Sequence, residues 1–146
     1  MAPAVIALDT GGNILWTTLL GQGQPGHGGV RSCIMDNTDL VCAGYVDEAT
    51  PGFKFVADVG FPTVWRLDTS GNIKMEKIIR SVEGMGQVAK IRKDKTSGFV
   101  LSSTAFNNIN GSEVNTVAVV KISDSFDVEW SQVLKAYFQC KRVEGI

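Results

Sequence analysis

The residues of this chain that bear on chemistry are one histidine, three cysteines and a recurring aspartate. His27 is the only histidine, and it stands in 21–29, a stretch with five glycines in nine residues. A Ser-His-Asp set would have no other base to use, and no Gly-x-Ser-x-Gly elbow accompanies it. The same stretch lacks the Gly-Lys-Ser/Thr of a phosphate loop. An exposed loop histidine is therefore the reading, with no catalytic residue named. Cys33 and Cys42 flank Asp36-Asn37-Thr38-Asp39. If Asn37 and Thr38 are the centre of a two-residue hairpin, Asp36 faces Asp39, Met35 faces Leu40, Ile34 faces Val41 and Cys33 faces Cys42. Opposed Cβ atoms lie about 4.5–5.5 Å apart, or less in non-hydrogen-bonded pairs, and a disulfide wants roughly 3.5–4.5 Å. A Cys33–Cys42 disulfide is thus within reach, beside the preferred reading of two reduced thiols buried as small core residues. Cys140 has no evident partner. With one histidine and no Cys-x-x-Cys, no metal site and no cofactor are expected.

Asp9, Asp68 and Asp124 sit at or beside a repeated turn, with Asn13 and Asn72 in two of its copies. Asp and Asn cap turns by bonding their own backbone. A Ca²⁺ loop needs several closely spaced oxygen ligands, more than 9–13 supplies, so turn chemistry is the reading. Trp16, Met75 and Trp130 fall at one equivalent position. Core packing between neighbouring units is expected of them, against the sharper alternative of a stacking platform for a sugar or quinone. Asn110-Gly111-Ser112 is an N-glycosylation sequon, a lean toward an extracellular or secretory setting.

These residues are carried by a repeat. Val-Ile-Ala-Leu-Asp-Thr-Gly-Gly-Asn-Ile-Leu-Trp at 5–16 returns at 64–75 as Val-Trp-Arg-Leu-Asp-Thr-Ser-Gly-Asn-Ile-Lys-Met. A worn copy fills 119–130. Asp9, Asp68 and Ser123 are 59 and 55 residues apart, a period typical of repeat architectures. Apolar, β-branched runs predict strands at 5–8, 14–20, 30–35, 40–46, 61–67, 73–79, 87–92, 99–104, 114–122 and 128–134. A further strand is expected at 135–143. Residues 47–60 and 107–113 read as connections, and the Lys90–Lys95 cluster as a solvated loop.

Composition bounds the rest. A chain of 146 residues with 44% hydrophobic and 20% charged residues is ordinary globular material and long enough for one core. A net charge of −1 points to no nucleic acid partner. No apolar run reaches the 18 residues of a transmembrane helix. The N-terminal residues lack the basic region of a signal peptide. Four short antiparallel strands per unit of about 50 residues is the pattern of a propeller blade. The expected fold is all-β, one repeat module over 1–146: a leading strand at 4–9, a blade at 13–68, a blade at 72–123 and a partial blade at 127–146. In that grouping the repeated turn joins the last strand of one blade to the first strand of the next. About two and a half blades cannot close a ring, so the chain reads as part of something larger.

The pattern Leu8-Asp9-x-x-Gly12-Asn13-x-x-Trp16 through Leu20-Gly21, followed by Leu40-Val41-x-Ala43-Gly44, resembles the bacterial-type β-propeller repeat, the seven-bladed propeller repeat and its quinoprotein-like relatives. Met75 in place of tryptophan, Asp127 where Gly-Asn is expected and the long 47–60 connection depart from it. The resemblance implies a recognition or structural scaffold of secreted or cell-surface proteins, sometimes an enzyme. The expected function is a non-catalytic β-propeller-like interaction or structural module, a fragment of a longer propeller or a subunit of an assembly. The alternative is part of a propeller enzyme, quinoprotein-like or polysaccharide-active, whose centre needs further blades. Its binding surface is expected in loops, around His27, Gly28, Asp47, Phe53, Asn107 and Asn110. Expected partners are protein chains or remaining blades, with carbohydrate admitted as a ligand class.

Overall fold

The computed structural model describes residues 3–21, 28–46, 60–82, 85–109 and 112–134. They form ten strands: β1 (Ala4–Leu8), β2 (Ile14–Leu19), β3 (Gly28–Asp36), β4 (Asp39–Val46), β5 (Phe61–Leu67), β6 (Ile73–Ile78), β7 (Met85–Lys93), β8 (Phe99–Ile109), β9 (Ser112–Ile122) and β10 (Val128–Leu134). The all-β expectation holds, and none of the described residues forms a helix long and apolar enough to cross a membrane. Every strand pairing is antiparallel between chain neighbours. The first sheet is β1-β2, the second β3-β4-β5-β6 and the third β7-β8-β9-β10.

This grouping differs from the expected one by one strand. The Asp-x-x-Gly-Asn turn does not carry the chain from one sheet to the next. It closes a hairpin inside a sheet, β1–β2, β5–β6 and, in the worn copy, β9–β10. The physical reason is the turn itself. In the first two copies the aspartate N–H bonds back to the asparagine carbonyl, 3.0 Å in both. That contact already holds the two strand ends side by side. The sheet changes fall instead after β2 and after β6. The 107–113 loop is also corrected: Asn107 pairs with Val114, Asn108 with Glu113 and Ile109 with Ser112, so the β8–β9 ladder runs almost to its tip. The β3–β4 hairpin has the expected register throughout, Asp36 opposite Asp39 down to Cys33 opposite Cys42. Asn37 takes the left-handed backbone (φ 56°) that closes it.

The three sheets stack as layers, and the second is buried on both faces. Alternation along β4 and β5 explains why. Val41, Ala43 and Val64 enter one cluster with Val88, Ile91, Leu101, Val120 and Ile122 of the third sheet. Cys42, Trp65 and Leu67 enter another with Val5, Trp16 and Leu20 of the first sheet. Strands buried on both faces read as continuous apolar runs, as Leu40-Val41-Cys42-Ala43 does.

Candidate functional site

The three hairpins set the geometry from which any site must be built. In the first, the Asp9 carboxylate accepts hydrogen bonds from the Gly11 and Asn13 backbone N–H groups at 2.8 and 2.9 Å and from the Asn13 side chain at 2.9 Å. Asp68 repeats this with Ser70 and Asn72 at 2.8, 2.9 and 2.9 Å. The asparagine side-chain bond is the main reason both carboxyls stay below the usual aspartate value. Each carboxylate is engaged by three hydrogen bonds from its own turn, which accounts for both aspartates as turn chemistry. In the third hairpin Ser123 takes the aspartate's place. Its hydroxyl accepts the Asp127 N–H at 3.0 Å, and its backbone N–H bonds to the Asp127 carbonyl at 2.8 Å. Asp124 is thereby released, and it pairs with Lys93 at 2.8 Å and accepts the Gly98 N–H at 3.2 Å.

Each hairpin supplies a seat on its rear side and a plug on its forward side. Gly12 and Gly71 are the seats of the first two, both at φ 83°. Phe126 takes that position in the third, at φ 65°. The plug belongs to the second strand pair counted from the turn: Trp16 faces Ala7, Met75 faces Arg66 and Trp130 faces Lys121. Between the first and second sheets the ring of Trp16 lies over Gly71, where an added Cβ would come within 2.6 Å of it. Trp16 Nε1 donates to the Thr69 carbonyl at 2.9 Å, and the Thr18 hydroxyl donates to the Gly71 carbonyl at 2.6 Å. Between the second and third sheets the volumes are exchanged. The smaller Met75 is the plug and the larger Phe126 the seat; Phe126 belongs to the buried core cluster, and the partly buried Met75 packs against that cluster. Lys77, at the place of Thr18, ion-pairs with Asp127 of the third hairpin.

A charged seam reinforces the second contact. Arg66 reaches from β5 between the rings of Phe99 and Phe126, 5.7 and 5.6 Å from their centres. It donates to Asp36 at 2.8 Å, and Lys93 of the third sheet stands 3.0 Å from the same carboxylate. Burial works against the charge of Asp36, but the hydrogen bonds from Arg66 and Lys93 outweigh it and hold the carboxyl below its usual range. The Asp124 contact, with that of Asp36, raises Lys93 above the ordinary lysine value. Lys74 and Arg66 share Asp39 at 2.7 and 3.6 Å. Charge meets opposite charge along this seam, which suits a clamp between sheets. No sequence signal marked it, because Asp36, Arg66, Lys93 and Asp124 are 27 to 88 residues apart.

Of the expected site residues, His27, Asp47, Phe53 and Asn110 lie outside the described residues, as does the strand expected at 135–143. Asn107 is a paired position of β8. Gly28 opens β3 opposite Val46, where a Cβ would meet Pro3 and the Tyr45 carbonyl at 2.9 Å, so close packing accounts for it. Cys33 and Cys42 stand directly opposite, Cα atoms 4.1 Å apart, with their sulfurs bonded. Lys90 and Arg92 stand exposed on strand β7, not on a loop, and with Lys95 line an open concavity of about 400 Å³. Among the described residues no group of three His, Cys, Asp or Glu is placed to hold a metal ion.

Away from these positions, large apolar side chains are exposed on the outer sheet faces. On the rear of the first sheet Ile6, Leu8 and Leu19 are exposed. On the front of the third, Val117, Trp130 and Leu134 are exposed. No protein-family model matches the sequence and no curated protein matches it, so the functional reading rests on this geometry.

Proposed function

We propose that the chain is a non-catalytic β-propeller-like interaction or structural module, acting as part of a larger assembly. The observation that carries this reading is the pair of outer faces. Contiguous apolar patches on a sheet face are surfaces for association, and these bear the same kinds of side chain that seal the two internal contacts. Protein partners or further repeats are the fitting occupants. The bonded Cys33–Cys42 pair and the Asn110 sequon suit an extracellular setting. Light scattering with an apolar-surface dye tests the reading. Either a mass above the single chain's 15.7 kDa or strong dye fluorescence from a single chain is expected. A monodisperse single chain that leaves the dye dark would contradict it.

A further inference from the structure

The two free faces are the two halves of the contact that already joins the first sheet to the second. Three register-equivalent positions show this. Leu20, Ile79 and Leu134 end the forward faces of the three sheets: Leu20 and Ile79 each follow the last strand pair, bonding to the Pro3 and Pro62 carbonyls at 2.8 Å, and Leu134 pairs with Val117 at the same level. Leu20 is 0% exposed, Ile79 3% and Leu134 46%. At the plug position Trp16 is seated on Gly71 and Met75 is partly buried against the core, whereas Trp130 is 50% exposed. At the seat, a Cβ on Gly71 would collide with Trp16, whereas a Cβ on Gly12 would meet nothing within 4 Å. Volumes match as well. The equivalent positions pair tryptophan with glycine between the first and second sheets, where they touch, and methionine with phenylalanine between the second and third, around one core cluster; the unfilled pair is again tryptophan with glycine.

We infer that a second copy of this chain is the occupant, docking head to tail with Trp130 of one copy seated on the Asp9–Asn13 turn of the next. This rests on the module reading above and names its partner. Trp130 Nε1 donates to the Thr10 carbonyl, as Trp16 Nε1 does to the Thr69 carbonyl. Gln132 stands at the place of Thr18 and Lys77, and meets Asn13 where Lys77 meets Asp127. No like charges are brought together at these positions. The contact continues the established stack by one layer, which is the argument for a copy over an unrelated protein. It covers the β9–β10 half of the third sheet, since the first sheet has two strands among the described residues. Being heterologous, it leaves one free face at each end and builds rings or open stacks.

The test uses two complementary variants of the whole chain. Trp130→Ala removes the plug and keeps the seat. Gly12→Asn fills the seat and keeps the plug, and asparagine tolerates the left-handed backbone there. Sedimentation velocity up to about 1 mM covers the range of weak contacts. The expected result is that wild type grows beyond two chains, each variant alone sediments as one chain, and their equimolar mixture gives two chains and no more. Circular dichroism checks each variant's fold, and Trp130→Gln repeats the arm should Trp130→Ala disturb β10. A mixture that stays single while wild type associates would overturn the inference, as would variants that associate like wild type. A wild-type chain that stays single yet binds the dye, or that binds only a protein of different sequence on these faces, overturns self-docking and leaves the module reading standing. A single chain that binds no dye overturns both.

Discussion

Gly12 and Gly71 form a matched pair for measuring how much the stacked hairpins depend on the seated tryptophan. Both have φ 83°, so replacing either by alanine carries the same left-handed backbone cost, about 1–2 kcal/mol. Only at Gly71 does the new methyl meet side chains, at 2.6 Å from Trp16 Cε3 and 2.7 Å from Thr18 Oγ1. Those atoms have to move, and overpacking of this kind costs about 1–3 kcal/mol. The Trp16 and Thr18 hydrogen bonds to the turn carbonyls are strained with it, each contributing about 1 kcal/mol. Gly71→Ala should therefore cost about 2–3 kcal/mol more than Gly12→Ala. For a chain of this size that separates the two midpoints by roughly 4–12 °C. The assay is urea and thermal unfolding at low micromolar concentration, followed by tryptophan fluorescence. Equal losses for the two variants would refute the seat and with it the argument that Gly12 is an empty one.

The seam between the second and third sheets gives a further expectation. Asp36 and Arg66 are 8% and 14% exposed. Breaking a buried pair costs about 3–5 kcal/mol and an exposed pair 0–1. Because Asp36 keeps Lys93, Arg66→Gln should cost about 2 kcal/mol, and a double-mutant cycle with Asp36→Asn should show coupling rather than addition. Asp36 has a folded-state pKa below its unfolded one, so its stabilisation is present above the unfolded value and lost as pH falls through the folded value. Asp36→Asn should flatten the acid limb of stability below about pH 4, where wild type weakens. Phe126→Ala removes a fully buried ring packed edge-on to Phe99 at 5.9 Å and should cost about 3–4 kcal/mol by denaturant unfolding. Alkylation of the unfolded chain should label one cysteine without reductant and three with it, since Cys33 and Cys42 are bonded. Three labels before reduction would remove the disulfide from the account.

The strands and the hairpin turn were legible in the residues because their causes are local. Asp9 and Asp68 each bond to groups within four residues of themselves, and the β3–β4 register follows from a two-residue turn. The sheet boundaries were not legible, because the same turn chemistry serves equally well at a junction between sheets or at a hairpin inside one. That choice depends on which strands pair, a long-range fact. The seam was hidden for a related reason: Arg66, Asp36, Lys93 and Asp124 meet only once the second and third sheets are stacked. The exposure of Trp130 was hidden too. Its repeat position argued for core packing, and that packing depends on a neighbouring layer meeting the ring, as the second sheet meets Trp16.

The most direct measurement on the central claim is hydroxyl-radical footprinting of the assembled protein against the dilute single chain. The account predicts protection concentrated at Trp130 and Leu134 on the forward face and at Ile6 and Leu8 on the rear face, with Lys90 and Arg92 of β7 unchanged. Equal oxidation of Trp130 in both states, or protection confined to the β7 side of the third sheet, would contradict it.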